Sequence, residues 1–101
     1  MRYETRKASG SEWGKDLYLI ALAHADVVKV GRAWNPQERF KQIFRACPFL
    51  EPRLETTWPE RGYLEHTIHK ALAPYIVGPE WFRISASEAL KIKQSLLPGE
   101  L

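Results

Sequence analysis

Cysteine is almost missing from this 101-residue chain. Cys47 is the only one, so no internal disulfide can form and a reducing, intracellular setting is expected. Long apolar runs are missing as well. The longest candidate, Leu17 to Ala23, contains Tyr18 and stops at His24 and Asp26, well short of the roughly 20 residues a membrane helix needs. Arg2, Arg6, Lys7 and Lys15 punctuate the first sixteen residues with no apolar stretch between them, which excludes the pattern of a secretory signal. The length leaves no room for a second domain. A soluble cytoplasmic protein with one core and no membrane association is the expectation.

An excess of either charge is also small. Fifteen Lys and Arg against twelve Asp and Glu give a net charge of +3, a mild tilt toward polyanions that an ordinary solvated surface explains equally well. Function must therefore be read from the order of elements and from individual residues.

Residues 1–15 form a polar lead-in in which Gly10, Ser11 and Gly14 break any periodicity and Trp13 is the only large anchor. Residues 16–101 carry the domain. Leu-Tyr-Leu-Ile-Ala-Leu after Asp16 and the valines Val27, Val28 and Val30 read as two strands of a hairpin turning at His24 and Ala25. That turn sets Tyr18 opposite Gly31 and Ile20 opposite Lys29. Tyr18 and Lys29 then share one face, while Leu17, Leu19, Val28 and Val30 fill the other. Asn35-Pro36 starts a helix that runs to about Arg45, with Phe40, Ile43 and Phe44 at helical spacing. Arg53 to Trp58 predicts a third strand with Leu54, Thr56 and Trp58 on one side. Thr57 and Glu60 have the spacing of a capping box for a second helix, whose buried stripe is Leu64, Ile68, Ala71 and Leu72. A short apolar segment, Glu80 to Ile84, leads to a last helix opened by Ser85 and Glu88.

Five pieces of this chain occur in a distinctive order: Asp16-Leu17-Tyr18, Lys29-Val30-Gly31-Arg32, Asn35-Pro36 followed by Arg39-Phe40, Glu65-x-x-x-His69, and Glu80-Trp81-Phe82. The set, covering about residues 16–85, resembles the GIY-YIG endonuclease superfamily, in particular its short branch of phage and bacterial proteins. The resemblance implies an α+β fold with a small three-stranded antiparallel sheet flanked by helices. It also implies hydrolysis of phosphodiester bonds through one divalent cation, Mg²⁺ or Mn²⁺, with DNA favoured over RNA by the family alone.

Phosphodiester hydrolysis needs a group that activates water, a cation on the scissile phosphate and stabilisation of the charge that builds up. By family position Glu65 would hold the metal, and one carboxylate suffices because Mg²⁺ keeps several waters. Arg39 would grip the phosphate through its planar fork. Tyr18 would help to deprotonate or orient water; a free Tyr titrates near pH 10, so it needs a cationic neighbour, and Lys29 is on the same face. His69, one turn after Glu65, either acts on the phosphate or a proton, or is structural and bonded to a backbone carbonyl. Gly31 keeps the approach to the sheet open, and Arg32, Lys41 and Arg45 are candidate contacts to the nucleic-acid backbone. Trp81 and Phe82 are expected to anchor the core.

Asp16 stands where the first motif often has Gly, Lys29 where the second often has Tyr, and the Asn that some relatives carry beyond the metal-binding Glu has no match. Site selectivity would have to come from DNA shape, a homodimer or a larger complex. The rival readings are a module with the same fold that binds nucleic acid or protein without cutting, and a zinc site from Cys47, His66 and His69. The spacing of those three is not that of a zinc peptidase.

Overall fold

The computed structural model describes residues 14–96. Most of the polar lead-in, Trp13 included, lies outside the described residues. Strands β1 (Asp16–Leu22) and β2 (Val28–Ala33) form the expected hairpin, with Tyr18 opposite Gly31 and Ile20 opposite Lys29. Helix α1 (Pro36–Ala46) follows, and the Asn35 side chain accepts the Glu38 N–H at 3.2 Å, as an N-cap should. A single 3₁₀ turn (Pro48–Leu50) leads into β3 (Pro52–Trp58), and a second (Gly62–Leu64) leads into α2 (Glu65–Leu72). After a third such turn come β4 (Ile76–Gly78), β5 (Trp81–Phe82) and α3 (Ala86–Leu96). The Ser85 hydroxyl accepts the Glu88 N–H at 3.2 Å and opens α3 where the sequence predicts.

The architecture is α+β, but the sheet has five antiparallel strands in the order β3-β1-β2-β5-β4, not three. The two extra strands are three and two residues long, with Pro74 before them and Pro79 between them. No alternation can register over such lengths, and only pairing with β2 makes them strands.

Two further expectations fail for one reason, the pull of β1 on β3. A bulge at the Leu19/Ile20 step pairs Leu19 with Thr56 and Ile20 with Leu54, skipping Glu55. Leu54 and Trp58 therefore pack on opposite faces instead of sharing one. Thr57 is paired with Tyr18 and cannot cap a helix. Glu60 has a φ of 59° in the turn beyond, where its N–H is held by the Asp16 carboxylate at 2.9 Å. Helix α2 consequently starts at Glu65, although its buried stripe of Leu64, Ile68 and Leu72 is as expected.

The alternation of β1 and β2 builds two cores. Leu17, Leu19, Ala21, Val28 and Val30 face α2 and α3 and pack with Leu64, Ile68, Leu72, Phe82 and Ala89. Tyr18 and Ile20 face α1 and pack with Ile43, flanked by Phe40, Leu54 and Trp81. Each large apolar side chain so enclosed contributes about 1.5–3 kcal/mol of transfer free energy. The adjacent Trp81 and Phe82 thus anchor one core each. Among the described residues the sheet carries one helix on one face and two on the other, and the stretch of β2 that β5 leaves uncovered lies between these layers.

Candidate active site

Strand β2 is paired with β1 along its whole length, but β5 covers only its beginning, Val28 with Phe82 and Lys29 with Trp81. The last backbone bond on that side runs from the Val30 N–H to the Glu80 carbonyl at 3.2 Å. His69 takes over where the strand ends, its Nε2 donating to the Val30 carbonyl at 2.6 Å. A buried carbonyl at a broken ladder needs such a donor. The ring also sits 5.3 Å from that of Phe82. Of the two uses open to His69 in the sequence, the backbone bond is therefore made, and it leaves Nδ1 for other chemistry.

Because α2 is held there, Glu65 comes to the same place, with only 13% of its side chain exposed and its Oε1 3.4 Å from Arg32 Nε. Arg32, expected on a nucleic-acid backbone, is thus engaged by the carboxylate. Burial pushes the Glu65 carboxyl above its ordinary value of 4.5; positive charge on His69 opposes the rise, the Glu80 carboxylate adds to it, and Arg32 and Lys29 oppose it. These five charged or titratable side chains form one electrostatic unit.

Tyr18 and Lys29 reach this unit from the opposite face of the sheet. Lys29 is 5% exposed, and its Nζ lies 2.5 Å from Glu80 Oε1 and 5.8 and 5.9 Å from the ring centres of Tyr18 and Trp81. An ammonium so enclosed requires a counter-charge, which Glu80 supplies. Glu80 itself has a φ of 65°, a left-handed conformation costing roughly 1 kcal/mol or more for a residue with a side chain, and it starts β5 at that point. Gly31 fills the middle. A Cβ there would collide with the Tyr18 hydroxyl, stand 2.6 Å from Tyr18 Cζ and 3.0 Å from Glu80 Oε1, so the phenol and the carboxylate pack into the room that a side chain would need.

Arg39 is exposed on α1, with Nη1 donating to Gln42 at 3.1 Å, and it lines an open cleft of about 420 Å³ together with Lys29, Glu80 and Trp81. Lys41 and Arg45 are not brought into that cleft. They lie about 120–160° round the helix from Arg39, where Lys41 Nζ is 3.7 Å from Glu38 and Arg45 Nε donates to the Lys41 carbonyl at 3.3 Å. The zinc alternative does not assemble either, since Cys47 donates to the Ile43 carbonyl at 3.3 Å on the α1 side, whereas His69 lies with α2. Among the described residues no group of three or more His, Cys, Asp and Glu side chains is placed to hold a metal.

Glu80 is the site residue to which sequence reasoning gave no role. It belongs to the Glu80-Trp81-Phe82 motif, but its partner Lys29 is 51 residues away and nothing local pairs them. The Gly78-Pro79 turn signal before it was the available hint.

The geometry can be set beside known proteins. No curated protein and no solved structure matches the chain. A family model does match, that of the T5orf172 domain, over residues 17–97. This corrects the resemblance to the GIY-YIG superfamily, and the departures at Asp16 and Lys29 are where the first two motifs already failed to fit. The match spans β1 through α3 and every site residue described above, and the chain belongs to the T5orf172 domain family.

Proposed function

We propose that this domain is a metal-dependent nuclease that hydrolyses phosphodiester bonds in DNA. The observation that carries the reading is the convergence of Tyr18, Lys29, Glu65, His69 and Glu80 around Val30 and Gly31, where β5 stops covering β2, with Arg39 on the adjoining cleft. Membership of the T5orf172 domain family, with which nuclease-like and DNA-binding functions are associated, supports it.

Glu65 is the metal ligand in this reading. A desolvated carboxylate near a second one, that of Glu80, would suit a hard cation such as Mg²⁺ or Mn²⁺, which one or two carboxylates can hold, and does not fit a closed zinc cage. Such a cation supplies charge neutralisation at the scissile phosphate. Arg39 binds a phosphate oxygen from the α1 side. Glu80 fixes the Lys29 ammonium between two aromatic rings, and the Tyr18 hydroxyl, packed against Gly31 beside Glu80, is the group that orients water in this reading. His69 holds α2 against the strand so that Glu65 keeps its position.

Nicking of supercoiled plasmid by the purified protein with Mg²⁺, Mn²⁺ or EDTA tests the proposal, with Glu65→Ala prepared in parallel to reveal contaminating nuclease. Cutting that requires both the cation and Glu65 is expected. DNA binding without cutting under any condition would leave a binding module instead.

A further inference from the structure

The flank of α1 turned away from the cleft carries an unusual surface. Phe40 and Phe44 stand one helical turn apart with ring centres 6.1 Å apart, and together with Lys41 and Arg45 they line a shallow hollow of about 380 Å³. Phe44 is 42% exposed. The 3₁₀ turn that follows the helix presents Phe49 at 78% exposure and Leu50 at 41%. Exposed large apolar side chains running from the end of the helix into the following turn, with two cations in the hollow beside them, mark a surface suited to a partner.

We propose that this aromatic and basic flank binds unstacked bases of single-stranded or locally unpaired DNA. The argument is charge complementarity combined with spacing. Lys41 and Arg45 alternate with Phe40 and Phe44 at i, i+1, i+4 and i+5 along one hollow, so the exposed Phe44 and the half-buried Phe40 have cations beside them, the pairing that a base and its phosphate require. Duplex DNA offers phosphates to the cations, but its bases are stacked on each other and give the rings nothing. An apolar protein partner would use the rings but gain nothing from the cations. Arg39, on the same helix, lines the cleft on its other side, so an unpaired strand held on the flank would have to pass round α1 to reach the site. The inference rests on the reading of the protein as acting on DNA, and it makes branched, flapped or otherwise unpaired DNA the preferred class.

The test uses the full chain carrying Glu65→Gln, in EDTA, so that binding is read without cutting. Fluorescence anisotropy with a labelled single strand, a duplex of the same sequence and a flapped duplex should give affinities at least about ten-fold tighter for the unpaired substrates. Phe49→Leu and Phe49→Ala should each weaken the unpaired substrates roughly five-fold or more, while leaving duplex binding within about two-fold. The exposure of Phe49 makes both substitutions safe for folding, and Leu keeps apolar area while removing the stacking face. Lys41→Ala with Arg45→Ala should weaken all three substrates and flatten the salt dependence. Equal affinities of wild type and both Phe49 variants for unpaired DNA would overturn the inference while leaving a duplex nuclease intact. Self-association in sedimentation that Phe49→Ala abolishes, with DNA binding unchanged, would assign the surface to a second copy. Failure to bind DNA in any form would remove both readings.

Discussion

Lys29 on β2 and Glu80 at the start of the neighbouring β5 face each other with Nζ and Oε1 2.5 Å apart, the lysine 6% and the glutamate 42% exposed in their side chains. The inequality matters. The buried ammonium has Glu80 as its counter-charge, whereas the glutamate can return to water.

Removing each partner should therefore have different effects. Glu80→Ala leaves a buried ammonium without its counter-charge and should cost about 1–3 kcal/mol in urea unfolding, with cutting lost as well. Lys29→Met substitutes an apolar chain of similar length and should leave stability within about 1 kcal/mol while still abolishing cutting. Equal destabilisation by both variants would mean that the pair is not arranged as described.

Glu65 is held at a cost to the fold. Its carboxyl has a raised pKa because it is buried, so the folded state binds a proton more tightly than the unfolded chain does. Stability from this group is accordingly greatest at low pH and declines as pH rises through the range above the ordinary carboxylate value. In metal-free buffer at neutral pH, Glu65→Gln should melt at a higher temperature than wild type, and the gap should close as the pH is lowered toward 4.5. Added Mg²⁺ should raise the melting temperature of wild type and not that of the variant. Calorimetry of both proteins with and without EDTA reads the two effects.

Gly31→Ala tests the space between the phenol and the carboxylate. The new methyl meets Tyr18, which is 1% exposed and has no room to swing aside. A loss of about 1–3 kcal/mol is expected from overpacking, with a fall in cutting larger than the unfolded fraction explains. Denaturant midpoints and plasmid nicking on the same preparation separate the two effects.

Arg39→Ala is the complementary case, because the side chain is exposed and bonded only to Gln42 among the contacts described. Stability should remain within about 0.5 kcal/mol. Cutting should slow by about 100-fold or more if the guanidinium stabilises the charge on phosphate. Lys substitution should recover little, since an ammonium lacks the planar fork.

Much of this arrangement was legible in the sequence because it is local. The hairpin from Asp16 to Ala33 follows from alternation and one turn, which alone puts Tyr18 beside Gly31 and Lys29 on the same face. The start of α1 at Asn35 and of α3 at Ser85 needs only a capping side chain. What could not be read depends on pairing between distant segments. The bulge that separates Leu54 from Trp58 exists only in register with β1, and Thr57 looks like a cap until Tyr18 claims it. The residues of the site divide along the same line. Glu65 and His69 are recognisable as a helical pair, yet the bond from His69 to Val30 and the pairing of Lys29 with Glu80 are tertiary facts.

Those two bonds join residues 39 and 51 positions apart. Their separation makes the site a late product of folding, because contacts of high sequence separation must await the closure of every loop between them. Neither the hairpin nor α1, each capable of forming early, holds more than a fraction of the chemistry. A chain shortened before Glu80 would have no counter-charge for Lys29, and a partly folded one would keep Glu65 apart from the edge of β2. Activity and global structure should thus appear and vanish together, so that the cutting proposed for this domain would leave the surrounding nucleic acid untouched until the polypeptide has folded.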